Sequence, residues 1–234
     1  MATKSQGESN DHATKEGDTD NSMVILENAY QFCGFNLKIN RFINANLGYS
    51  AYVWDAGIFL CQYFEKENIN FIGKKVIELG SGTGIVGILT TLLGGDVTIT
   101  DKSIVMKQID NNIAINVPAA CRHRIKARPL IWGEDHTNFP TGYDFILGSD
   151  ITYSSMAHPA LLETLCYLSR KGTTIYLCSE IRTKNGSLSF QNEFLPQYFN
   201  CQVLATSESK DIILHKFTRI GGSSPGDRVV TGDK

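Results

Sequence analysis

The stretch that most constrains this chain is residues 74–87, Lys-Lys-Val-Ile-Glu-Leu-Gly-Ser-Gly-Thr-Gly-Ile-Val-Gly. It opens as a short apolar strand over residues 76–79. It then turns on Gly80, Gly82 and Gly84 and runs on into an apolar helical segment over residues 85–93. A strand, a glycine loop and a helix in that order is how an α/β fold brings its backbone close to an adenosine cofactor.

The flanking pattern predicts the rest of a sheet. Phe35, Leu37 and Ile39 alternate with Asn36 and Lys38, as on a half-buried strand, and Cys33-Gly34 marks a turn from an earlier strand, so a small hairpin precedes the main fold. Val53, Gly57, Leu60 and Phe64 then give a helix one buried face. Past the glycine loop, strands are expected over residues 96–100, 125–130, 143–148 and 172–178. Helices are expected between them, one capped by Ser103 and stopped by Pro118, another over residues 157–170. Residues 187–200 read as a helix interrupted by Pro196. Two strands, 201–206 and 212–218, close the chain around a short polar turn. Alternating strands and helices imply a parallel sheet with right-handed crossovers, and so short a final turn forces an antiparallel pair. The expected architecture is α/β and Rossmann-like: a mostly parallel seven-stranded sheet with one antiparallel strand, plus the N-terminal hairpin.

Two cofactors compete for the glycines. Gly82-x-Gly84-x-x-Gly87, with Asp101 about 20 residues on, matches the dinucleotide fingerprint. In that motif, however, the first glycine closes the strand, which here is Gly80, and the third glycine would then fall on Ile85. The other reading is Glu78-x-Gly80-x-Gly82-x-Gly84. An acid two residues before the first glycine is a poor neighbour for a pyrophosphate. It suits S-adenosylmethionine, which carries an amino group and a sulfonium and no phosphate. Gly80, Ser81 and Gly82 would let the backbone pass close to it, and Asp101 would accept both ribose hydroxyls.

The same crevice should be lined by the ends of the neighbouring strands. Trp132 could pack on adenine or simply fill the core, and Trp54 carries the same ambiguity. Ser149 and Asp150 end a strand, and Tyr153 lies three residues on. A carboxylate and an aromatic face suit an amine substrate, the one attracting an ammonium and the other holding it by a cation–π contact. The plainer alternative is a helix cap plus a packing tyrosine.

Composition excludes other classes. Of 234 residues, 42% are hydrophobic and the net charge is −2, which suits an ordered domain without the basic excess of a nucleic-acid binder. No apolar run is long enough to cross a bilayer, and the polar residues 1–22 show no secretory signal. The six cysteines are scattered without a Cys-x-x-Cys pair, against both a metal site and a disulfide framework. A cytoplasmic, monomeric protein is expected, with residues 1–22 and 221–234 as disordered tails around a domain over 23–220.

Val53-Trp-Asp-Ala, Val76-Ile-Glu-Leu-Gly-Ser-Gly-Thr-Gly, Leu130-Ile-Trp-Gly and Gly148-Ser-Asp-Ile-Thr-Tyr together resemble the family 16 protein-lysine methyltransferases, over about residues 27–219. The resemblance implies the class I methyltransferase fold with S-adenosylmethionine as cofactor. It implies cofactor contacts at Trp54, Gly80, Ser81, Gly82, Asp101, Trp132 and Ser149, the last commonly alanine in the family. The family's Asp-x-x-Tyr motif falls on Asp150 and Tyr153. The implied substrate is a lysine in a folded protein, foremost elongation factor 1-alpha. Another protein such as a chaperone, a small-molecule amine, a nicotinamide enzyme and a non-catalytic scaffold are the alternatives.

Overall fold

The computed structural model describes residues 23–182 and 186–220, so both expected tails lie outside the described residues. An antiparallel hairpin comes first, β1 (Val24–Phe32) and β2 (Phe35–Ile43). The helix α1 (Asp55–Lys66) leads to the central strand β3 (Lys75–Leu79). There follow α2 (Ile85–Leu92), β4 (Asp96–Asp101), α3 (Met106–Asn116), β5 (Ile125–Pro129), β6 (Phe145–Ser149), α4 (His158–Leu168) and β7 (Thr174–Glu180). The chain ends in β8 (Phe199–Ser207) and β9 (Ile212–Arg219).

The main sheet has seven strands in the order β5-β4-β3-β6-β7-β9-β8. Neighbours from β5 to β7 are parallel, while β9 runs against both β7 and β8 and is the one reversed strand, as the short turn before it requires. β3 is flanked by β4 on one side and β6 on the other, so the strand order reverses there. A crevice opens at such a switch point, beyond the carboxyl ends of the strands.

Alternation along the strands divides the core. Val76, Val97 and Ile99 meet Leu60, Phe64, Ile88, Leu89 and Ile109 on the face covered by α1, α2 and α3. Ile77, Leu79 and Ile146 meet Leu161, Leu165 and Phe190 on the other. Some local expectations shift. Ser103 opens a 3₁₀ turn (Ser103–Val105) and does not cap α3 with its side chain. Pro196 disrupts its helix further than expected, leaving one α turn, a π-helical stretch (Phe190–Phe194) and a 3₁₀ turn (Leu195–Gln197).

A two-stranded hairpin is marginal alone. Leu37 and Ile39 join it to the core, and α3 holds its edge with side-chain amides one turn apart. Gln108, Asn112 and Asn116 accept the N–H groups of Phe42, Asn40 and Lys38, each at 2.8 Å. Asn112 donates back to the Asn40 carbonyl at 3.0 Å and on to the Thr83 carbonyl at 2.9 Å. Gln108 donates to the carbonyls of Ser50 at 2.7 Å and Gly82 at 3.2 Å. The helix thus serves β2 as a neighbouring strand would and ties the hairpin to the glycine loop. Asn112→Ala should lower stability by about 1–3 kcal/mol and speed hydrogen exchange at the Asn40 amide. Unchanged exchange there would show that the apolar face alone holds the hairpin.

Candidate active site

At the end of β3 the backbone takes the left-handed region at Gly80 (φ 60°), Gly82 (φ 57°) and Gly84 (φ 81°). Side chains resist that conformation, and at Gly80 space excludes one as well. A Cβ on Gly80 would lie 2.8 Å from Ile151 Cγ2 and 3.1 Å from Trp132. The loop edges a cavity of about 340 Å³ over the carboxyl ends of β3, β4 and β6. Asp101 enters from the end of β4, Ser149 and Asp150 from the end of β6, and Trp132 from the segment after β5. Trp54, just before α1, and Tyr153 complete the set that the sequence singled out, apart from Glu78.

Asp101 is buried and accepts the N–H of Gly82 at 2.8 Å on one oxygen and that of Lys102 at 2.7 Å on the other. Burial pushes its carboxyl above the usual range, and those two amides pull it back. Each oxygen keeps acceptor capacity for a ligand hydroxyl. The Ser81 hydroxyl is buried at the wall without a hydrogen-bond partner among the described residues. Trp54 donates its Nε1–H to the Tyr49 carbonyl at 3.0 Å. Its ring meets Tyr49 edge-on at 5.9 Å and Tyr52 at 6.4 Å, and Tyr49 in turn meets Tyr153 at 5.7 Å.

Asp150 sits at φ 54°, a strained conformation for a non-glycine residue and one that clusters at functional sites. Its amide donates to the Cys178 carbonyl at 2.7 Å. Its carboxylate takes both arms of Arg182, Nη1 at 3.0 Å and Nη2 at 2.6 Å. Nη2 also donates to Glu180 at 2.7 Å, and the guanidinium lies 5.4 Å from the Trp54 ring centre. Burial disfavours the charge on Arg182, but Asp150 and Glu180 outweigh it, and its pKa lies above the ordinary value.

Glu78 is placed differently from the expectation of a cofactor contact. It does not border the cavity. Alternation along β3 turns it to the Val76 side, where one oxygen accepts the Gly87 amide of α2 at 2.9 Å and the other has no partner among the described residues. Gly87 is glycine for that contact, since a Cβ there would lie 2.5 Å from the carboxylate. The third glycine of the apparent dinucleotide fingerprint is therefore a packing residue on a helix. Tyr49, Tyr52 and Arg182 were not singled out from the sequence. The two tyrosines flank Ser50 and Ala51 just ahead of Trp54, and that aromatic density was the available signal.

A family profile described as lysine methyltransferase matches residues 34–195. The chain belongs to the lysine methyltransferase family. EEF1A lysine methyltransferase 3 of Xenopus tropicalis is 46% identical over 193 residues, covering 82% of this chain and 85% of that one. The Mus musculus protein of that name is 46% identical over 185 residues, covering 79% of each. Protein N-lysine methyltransferase METTL21A of Danio rerio is 40% identical over 171 residues, covering 73% and 78%. Among solved structures, the fold is similar to the T. thermophilus 16S rRNA N2 G1207 methyltransferase RsmC in complex with AdoMet and guanosine, with a TM-score of 0.63 at 14% identity. That likeness covers 85% of this chain and 51% of the other.

As a lysine methyltransferase of the class I fold, the protein uses S-adenosylmethionine. The cavity fits it. The close glycine backbone, the unpartnered Ser81 hydroxyl and the spare acceptor capacity of Asp101 match a ligand with an adenosine and an amino acid end. Among the described residues no three His, Cys, Asp or Glu side chains stand together as a metal site, and no helix is long and apolar enough to cross a membrane.

Burial raises the Glu78 carboxyl of the methyltransferase from 4.5 to about 8; the Gly87 amide works against this and the charge of Asp101 adds to it. Between those values the folded protein keeps a proton that the unfolded chain has lost, so this group lowers stability as pH rises from about 4.5 to 8. Urea titrations should show a decline of a few kcal/mol across that window, at about 1.4 kcal/mol per unit of displacement. Glu78→Gln should flatten it; an equally steep decline in the variant would place the proton elsewhere.

Proposed function

We propose that this methyltransferase modifies a lysine ε-amine of elongation factor 1-alpha, acting as a cytoplasmic monomer. The relatives that match most of the chain at 46% identity carry that substrate in their names, which supports the choice of partner. The observation that carries the lysine chemistry is the meeting of the Asp150 carboxylate and the Tyr153 ring on one cavity wall, beside Ser81 and Asp101.

In this reading Asp101, Ser81 and the backbone of Gly80 and Gly82 hold the cofactor, with Trp54, Trp132 and Ser149 around it. When bound, S-adenosylmethionine supplies an electrophilic methyl whose carbon–sulfur bond breaks as the lysine nitrogen attacks. The nitrogen must be neutral. From a free pKa of ~10.4, losing the proton at pH 7 costs about 4–5 kcal/mol. Walls of Trp54, Tyr49 and Tyr153 desolvate the amine and lower that cost. The Tyr153 phenol, raised above its usual range by burial and by the carboxylates of Asp101 and Asp150, stays neutral and shapes the channel. Asp150 captures and orients the amine and is not its base, because a carboxylate beside an ammonium stabilises the proton.

Asp150→Ala should cut methyl transfer by about 100-fold or more, while affinity for S-adenosylhomocysteine, measured by calorimetry, changes little. Equal loss of both would contradict the role given to Asp150. Mass spectrometry of extract proteins labelled by the wild type, against that variant, checks the substrate. Label on a different protein would retire elongation factor 1-alpha and leave the lysine chemistry in place.

A further inference from the structure

The carboxylate assigned to substrate capture is already paired. Arg182 meets it end-on, each nitrogen on its own oxygen, in the fork geometry that gives arginine pairs their strength. Asp150 and Trp54 both border the cavity, whereas Arg182 is not among the residues of that wall and reaches the carboxylate from the end of β7. It backs the carboxylate and does not fill the place of the substrate. Each carboxylate oxygen can accept about two hydrogen bonds, so the fork leaves capacity on the cavity side for an amine N–H.

We infer that Arg182 is a positioning residue for methyl transfer: it fixes the Asp150 carboxylate and offsets its charge, so that the carboxylate orients the incoming amine without trapping it as ammonium. This rests on the lysine reading of the site given above. The side chain of Asp150 is 5% exposed. A lone buried carboxylate would draw in the ammonium form as its counter-ion and hold the proton that must leave before the nitrogen can attack. A permanently charged guanidinium removes that demand.

Among the described residues the groups facing Asp150 are few. Arg182 and Glu180 come from the end of β7, Cys178 from within it, and Tyr153 from the segment after β6. Tyr49 touches Tyr153, and Asp101 stands on the same cavity wall at the end of β4. The thiol of Cys178 is raised by burial and by Asp150, so it stays neutral. Glu180 adds a second negative charge, but it lies at the solvent edge, where it is screened, and it holds the guanidinium from the other side. Among the described residues Arg182 is therefore the cation paired with Asp150, while Lys102 on the same cavity wall stands beside Asp101.

The test is the pH dependence of kcat, which reports groups in the enzyme–substrate complex. It would use elongation factor 1-alpha, or, should that carry no label, whichever extract protein the wild type labels. In Arg182→Met the ascending limb should move up by about one unit, a loss of about tenfold below the limb. KM at pH 7 should fall, and affinity for S-adenosylhomocysteine should hold. Arg182→Lys, which keeps the charge and loses the fork, should keep the wild-type limb at a lower kcat. If methionine destabilises the fold, Arg182→Gln serves the same comparison.

An unmoved limb in the neutral variants, or a raised KM, would overturn the inference even with Asp150→Ala inactive. Full activity in Asp150→Ala, or a wild type that labels nothing, would overturn the lysine reading and this inference with it.

Discussion

The hydrogen bond from the Gly82 amide to Asp101 is the contact on which the site depends. It joins the loop after β3 to the end of β4, which the Ser81 amide also reaches by donating to the Thr100 carbonyl at 3.0 Å, so the two strands are fixed at their tips. The same loop offers the carbonyls of Gly82 and Thr83 to Gln108 and Asn112, and those side chains hold the edge of the hairpin. One glycine-rich turn thus sets the cavity wall, the start of α2 and the position of β2. Its left-handed residues cannot be replaced without backbone strain, and at Gly80 a side chain would also collide with Ile151 and Trp132.

Three buried acids stand near this turn, and each is accommodated differently. Glu78 faces apolar helices with one amide for company and keeps its proton at neutral pH. Asp101 has two amides and acceptor capacity toward the cavity. Asp150 has an arginine. The difference follows from depth. A backbone amide can reach anywhere a loop passes, but a guanidinium needs its own path to solvent, which the end of β7 provides, with the side chain of Arg182 31% exposed.

Most of the fold was legible because its signals are periodic. Alternation in β2, the apolar face of α1 and the strand–glycine–helix run of residues 76–93 each need only a short window. The reversed β9 was legible too, since a short turn before it permits no crossover. The site was legible as far as strand ends could be placed, because a parallel sheet collects them at one edge; that brought Asp101, Asp150 and Tyr153 together from positions far apart in the chain. Glu78 was misplaced because its position next to the glycines says nothing of which face of β3 it takes. Parity along the strand decides that, and it sends the side chain to Gly87.

Arg182 was legible only as part of residues 179–187, a stretch expected at the substrate surface, and not as a partner of Asp150. It follows β7 with no motif around it, and its pairing with Asp150 spans 32 positions. The sequence by itself determined the order of elements, the glycine loop and the family, because each rests on local spacing or on a shared run of residues. Only the tertiary structure decided which carboxylates face the cavity, which one keeps a proton and which one carries a counter-ion. Those properties depend on burial and on partners that the sheet brings together from distant parts of the chain.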